Sequence, residues 1–147
     1  MTLEPGIVNT RLFGVPREVL FEAFSDPDQL VHWWGPKGFT NVFHEFDLRP
    51  GGSWRFVMHG PDGAEFQIEK EFIEVARPER IVLRHLDAKH GFRMTMTFAD
   101  EPGGTRLTWH MLFEDPEENT RLREFISEAN EQNFDRLAAW LTKKARP

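Results

Sequence analysis

Three stretches of this chain alternate apolar and polar residues, and that pattern leaves few folds open. Trp54, Phe56 and Met58 alternate with Ser53, Arg55 and His59. Phe92, Met94, Met96 and Phe98 alternate with Arg93, Thr95 and Thr97. Leu107, Trp109, Met111 and Phe113 alternate with Arg106, Thr108 and His110. Successive side chains of a strand point to opposite faces, so each stretch makes a strand with one apolar side. A sheet of such strands is covered on one face only.

The neighbouring segments extend the sheet. Ile7 to Phe13 reads as a first strand, and six more are expected at roughly 40–48, 52–59, 65–76, 80–87, 91–100 and 104–114. Pro50-Gly51-Gly52, Gly60-Pro61-Asp62-Gly63, Arg77-Pro78-Glu79, Asp87-Ala88-Lys89-His90-Gly91 and Glu101-Pro102-Gly103-Gly104 supply the turns. Connections this short imply an antiparallel meander. After the first strand, Pro16 suits the first turn of a short helix. Asp26-Pro27-Asp28-Gln29 then starts a second, which Gly35-Pro36 stops.

The cover for the apolar face is the last segment. Asp115-Pro116-Glu117-Glu118 opens a helix, with acids at the positive end of its dipole and Lys143, Lys144 and Arg146 at the other end. Nothing in the sequence breaks it from 116 to about 143, a rod of about 40 Å at 1.5 Å per residue. Leu122, Phe125, Ile126, Ala129, Phe134, Leu137, Trp140 and Leu141 form a wide apolar stripe along it. The expected fold class is α+β. A curved antiparallel sheet grips a long C-terminal helix, two short helices follow the first strand, and residues 1–147 make one domain.

Composition narrows the function. The net charge of −6 opposes binding to a phosphate backbone or to anionic lipid, so neither nucleic acid nor membrane is an expected partner. With no Cys there are no disulfides, thiolate metal sites or cysteine nucleophiles. The six His show no metal-binding spacing, and neither a metal nor a cofactor is expected. No secretion signal or membrane-length apolar run is present, which points to the cytoplasm. The 14 Phe and 5 Trp, with no Tyr, suit an apolar interior or cavity.

Several motifs accompany this order of elements: the run from Pro16 to Phe24 followed by Asp26-Pro27, Leu30-Val31-His32-Trp33-Trp34-Gly35-Pro36, and Asp47 to Phe56 with Gly60-Pro61-Asp62-Gly63. Pro78-Glu79-Arg80-Ile81 and Phe134-Asp135-Arg136-Leu137 add two later positions. In these motifs and in the order of its elements the chain resembles the SRPBCC (START-like) superfamily, and within it the homologues of the activator of the 90-kDa heat-shock protein ATPase. The resemblance implies a helix-grip fold with a cavity between helix and sheet, but no particular reaction. The family often carries Gly-Trp where this chain has Ala129-Asn130, a change that leaves a roomier and more polar interior.

Candidate site residues follow from these patterns. Asn130 and Asn133 fall on or beside the apolar stripe; each either bonds a neighbouring strand or lines a cavity. With Ala129 they would roof a cavity floored by Trp54, Met94, Met96 or Trp109, with Met58 and Phe125 also on its wall. Adjacent helical residues diverge by about 100°, so one of Trp33 and Trp34 is expected in the core and the other near the mouth. His44, His85 and Lys70 fall in phase with apolar neighbours and point inward unless a bulge shifts them. Glu45 and Asp47 share a strand face but read as its polar side. Ser25, Ser53 and Ser127 lack a nucleophile's setting, so an enzyme is the less favoured class.

Three functions remain open: a binding protein for a small apolar or aromatic molecule, a chaperone-associated interaction module, and a cyclase-like enzyme. The second is implied by the resemblance, and the third requires paired acid and base groups in the cavity. Homodimer formation through an exposed apolar surface also stays open.

Overall fold

A computed structural model describes residues 6–145. The opening residues 1–5 and Arg146, expected at the helix end, lie outside the described residues. The elements are β1 (Ile7–Phe13), α1 (Arg17–Ser25), α2 (Pro27–Trp33), β2 (Thr40–Phe46), β3 (Ser53–His59), β4 (Glu65–Ala76), β5 (Arg80–His85), β6 (Phe92–Glu101), β7 (Gly104–Phe113), α3 (Pro116–Arg121) and α4 (Arg123–Ala145). The seven strands form one antiparallel sheet in the order β1-β7-β6-β5-β4-β3-β2. This is the expected α+β helix-grip arrangement.

The alternation places the core as expected. Trp54, Met94, Met96, Leu107 and Trp109 are buried on the inner face. Asp26 caps α2 by accepting from the Asp28 N–H at 2.9 Å, and Asp115 caps α3 by accepting from the Glu117 N–H at 3.0 Å.

The C-terminal helix departs from a continuous rod. It is interrupted at the single residue Leu122, with φ −98° and ψ 0°, although Leu122 N–H still donates to the Glu118 carbonyl at 2.9 Å and its own carbonyl accepts the Ile126 N–H at 2.8 Å. Different tethers hold the two pieces. Asn119 Oδ1 accepts the Phe113 N–H at 2.9 Å, and buried Glu118 pairs with His90 at 2.6 Å, fixing α3 to the end of β7 and to the β5–β6 loop. α4 is tied to β1, where Arg11 pairs with Glu131 at 2.7 Å and Asp135 at 2.9 Å. In the orientation α4 takes, Asn130, Asn133, Phe134, Leu137 and Leu141 are buried. Phe125, at the far edge of the stripe, is left 72% exposed rather than facing the interior.

A bulge corrects a second expectation. The β2–β3 register shifts between Phe43 and Glu45, so Phe43 and Phe46 both pack inward and His44 turns outward.

Candidate functional site

The site begins where α2 ends. Trp33 is the last helical residue and Trp34 is already extended, with φ −67° and ψ 135°. The divergence of helical neighbours therefore does not apply, and both rings are buried, at 1% and 6% exposure, instead of dividing between core and mouth. They meet edge to face at 5.8 Å, and Trp33 Nε1 donates to the Ala23 carbonyl at 3.1 Å. Gly35 follows with φ +103°, where an added Cβ would stand 2.9 Å from Met58 Cε.

This turn is clamped from α4. Asn133 Oδ1 accepts the Gly35 N–H at 3.1 Å, and its Nδ2 donates to the Trp33 carbonyl at 2.8 Å. Arg136 Nη1 is shared among the carbonyls of Trp34, Gly35 and Pro36 at 2.9–3.1 Å, while Nη2 donates to the His32 carbonyl at 3.0 Å. Burial lowers the Arg136 pKa, and the carbonyls at the end of α2 give it the acceptors it needs. Two of the stretches that carry the resemblance, around Trp33-Trp34-Gly35-Pro36 and Phe134-Asp135-Arg136-Leu137, are thus two halves of one structural clasp.

Asn130 is also committed: its Nδ2 donates to Asn9 Oδ1 at 3.0 Å, with Met111 Sδ at 3.4 Å. Asn9 in turn donates to Glu131 at 2.8 Å and to the Ser127 carbonyl at 3.1 Å. Both helix amides therefore bond to neighbouring elements rather than roofing a cavity. Ala129 instead borders an outer hollow of about 280 Å³ with Pro36, Phe39, Phe125, Glu128 and Gln132.

The remaining candidates do come together. Trp34 packs against Trp54 at 5.0 Å and Trp109 at 5.3 Å, between ring centroids. Trp54 stacks on Phe56 at 4.7 Å and on Phe72 at 6.1 Å. A void lies beside Trp34, Trp54, Phe72 and Met96, with about 10 Å³ open to the centre of a water-sized sphere. That is room for about one water, so the interior is far more closely filled than the sequence suggested. The indole N–H groups of Trp54 and Trp109 are buried with no partner among the described residues. Phe43, Phe46, Met58, Ile68 and Phe92 stay half-buried against this core, as do Leu122 and Ile126 on the helical side.

Lys70 does point inward, and it is only 5% exposed. Its register partners are Trp54 and His85; its Nζ stands 3.4 Å from His85 Nδ1 and 4.9 Å from the centre of the Phe92 ring. Burial pulls the amine down to about 7. Burial, with the Lys70 charge, pulls His85 down to about 3. Both shifts run downward, so near neutral pH the amine divides between its charged and neutral forms while His85 stays neutral. Glu45 and Asp47 are engaged by Arg55 and Arg49, each at 2.8 Å.

Lys70 sets the pH response of the fold. Its folded pKa lies below its unfolded one, so between about pH 7 and pH 10 the unfolded chain holds more protons. Stability should rise there with pH, by at most ~1.4 kcal/mol per unit. In Lys70→Met that rise should disappear, and the variant should be more stable than wild type at neutral pH. Chemical denaturation at several pH values measures this; parallel wild-type and variant curves would refute it.

A curved antiparallel sheet closed by a C-terminal helix, with an aromatic interior, defines a helix-grip protein. This chain belongs to the family of Activator of Hsp90 ATPase homolog 1-like proteins, whose pattern matches residues 14–142. It is similar in fold to a crystal structure of a Nitrosomonas europaea protein, at 20% identity and TM-score 0.85, covering 98% of this chain and 99% of that one. A Chromobacterium violaceum protein is 26% identical with TM-score 0.77, covering 95% and 98% of the two chains. The Silicibacter pomeroyi AHSA1 protein is 25% identical with TM-score 0.76, covering 94% and 98%. No curated protein matches the chain significantly. Among the described residues no helix is long and apolar enough to cross a membrane.

Proposed function

We propose that the protein binds a small apolar or aromatic molecule between the inner face of the sheet and the α3–α4 helices. The observation that carries this reading is the pair of buried indole N–H groups, on Trp54 and Trp109, left without acceptors within the aromatic cluster. A buried donor without a partner is costly, and a ligand that accepts from it removes the cost. The half-buried Phe43, Met58, Ile68, Phe92, Leu122 and Ile126 supply the way in. Met58, Met94 and Met96 supply the room, because unbranched thioether side chains repack easily around a guest. Native mass spectrometry of the purified protein tests the reading. The expected result is a small-molecule adduct that is lost on denaturation, or that forms on adding an aromatic probe. A bare mass under both conditions contradicts it.

A second reading, a chaperone-associated interaction module, draws on the outer surface. Phe125 and Phe66 are exposed, Phe66 lies 6.3 Å from Phe39, and Phe39 shares the outer hollow with Phe125. Exposed apolar strips of this kind mark contact surfaces. On this reading Phe125→Asp abolishes stimulation of a 90-kDa chaperone ATPase, while stability changes by less than ~0.5 kcal/mol. Wild-type protein that leaves the ATPase rate unchanged removes the reading.

A further inference from the structure

We propose that the molecule held in this interior carries a carboxylate, and that the ammonium of Lys70 is the cation that receives it. The inference rests on the binding reading above and names the ligand's chemical class. Lys70 occupies a position whose neighbours along the strand, Phe66, Ile68 and Phe72, are all apolar. A leucine there would pack without penalty, whereas a buried ammonium is costly unless paired. Among the described residues no carboxylate reaches it. Glu69 and Glu71 alternate onto the other face of β4, as do Arg55 on β3, Arg84 on β5 and Arg93 on β6. Glu118 on α3 is held through Oε2 by His90 and Arg121, and its Oε1 is buried without a partner among the described residues. The one titratable partner is His85, itself kept neutral, with Asp87 and His90 acting on it from the following loop. The neighbours that remain are the Trp54 indole and the Phe92 ring.

The orphan groups of the aromatic interior point the same way. Trp54 Nε1 and Trp109 Nε1 are buried donors without acceptors, and Lys70 Nζ has only the ring nitrogen of His85; the buried acceptors without partners, Asn41 Oδ1 and Glu118 Oε1, sit on β2 and α3. A carboxylate is acceptor-only and anionic; it would neutralise the lysine and leave an apolar body to the rings. Such a ligand favours the charged amine, so binding takes up a proton above the pH at which the free amine loses its own. Affinity for the acid should therefore fall as the pH rises past about 7, while affinity for a neutral analogue should not.

Isothermal titration with two matched pairs of probes, naphthoate against naphthamide and decanoate against decanol, tests the assignment. In wild type at about pH 6, at least one acid should bind tighter than its neutral partner by about tenfold or more, the range of a charge-assisted bond. That preference should fall toward unity at about pH 9. It should also fall toward unity in Lys70→Met, which loses a buried cation and so keeps its fold, as a thermal melt will show. Equal binding of acid and neutral partner in wild type overturns the pairing while leaving the binding reading intact. A preference that survives in Lys70→Met, or that does not change with pH, also overturns it. Failure of all four probes to bind, with a bare native mass, overturns the binding reading and the pairing together.

Discussion

Replacing Asn133 with leucine should lower stability by about 2–6 kcal/mol, although leucine matches the apolar stripe around it better than asparagine does. The side chain is buried and serves two backbone groups at once, the Gly35 N–H at 3.1 Å and the Trp33 carbonyl at 2.8 Å. Leucine would strand both, and each stranded buried group costs about 1–3 kcal/mol. The loss would also spread, because Arg136 holds the adjacent carbonyls of the same turn. Asn133→Asp keeps an acceptor for Gly35 but sets a buried carboxylate oxygen against the Trp33 carbonyl, so it should destabilise as well at neutral pH. Urea unfolding of the three proteins measures this. A change within about 0.5 kcal/mol for Asn133→Leu would mean that the amide does not hold the turn.

Trp34→Ala should have a comparable or larger effect, a loss of about 3–5 kcal/mol. The ring lies between Trp33, Trp54 and Trp109, with centroids 5.8, 5.0 and 5.3 Å away. Its removal opens an apolar cavity in the middle of the aromatic interior, lined by rings that collapse poorly into the gap. Apolar cavities of that kind take up matching guests. Added indole should therefore raise the variant's melting temperature in proportion to occupancy, while leaving wild type almost unchanged. A loss below about 1 kcal/mol would show that Trp34 is not the centre of the packing. A variant that indole does not rescue would show that the site had closed.

What the sequence made legible was whatever local pattern determines. Period-two alternation located Trp54, Met94, Met96 and Trp109 on one face, and all four are buried there. Asp26 and Asp115 followed by proline marked two helix starts, and both cap as expected. Features that depend on a distant partner were not legible. His44 faces outward because of a bulge against β3, which no local signal marks. The interruption at Leu122 lies just after Glu118 and Asn119, which are anchored to His90 and to the Phe113 N–H and look in the sequence like ordinary helix and surface groups. Phe125 belongs to the stripe by angle alone; α4 turns Phe134, Leu137 and Leu141 to the core and leaves Phe125 outside. Asn130 and Asn133 lay on the apolar side by spacing, but only their partners distinguish a structural bond from a cavity lining. Arg136 was visible only as part of a resemblance, since nothing local says that an arginine will gather the carbonyls of another helix. Lys70 is the opposite case: its phase with Ile68 and Phe72 was enough to turn it inward, and the structure keeps it there.

The central claim is that the interior around Trp54 and Trp109 receives a guest. Its most direct test is a two-dimensional nitrogen–proton NMR spectrum of the tryptophan indoles, recorded while naphthoate is titrated in. The chain has five Trp, and their indole signals can be assigned by single substitution. Trp33 and Trp140 already donate to Ala23 and Gln29, each at 3.1 Å, so their signals should move little. Those of Trp54 and Trp109 should shift downfield and saturate together as they gain an acceptor. Saturating naphthoate that leaves both of these signals in place, or that moves only Trp140 at the surface, would contradict the account.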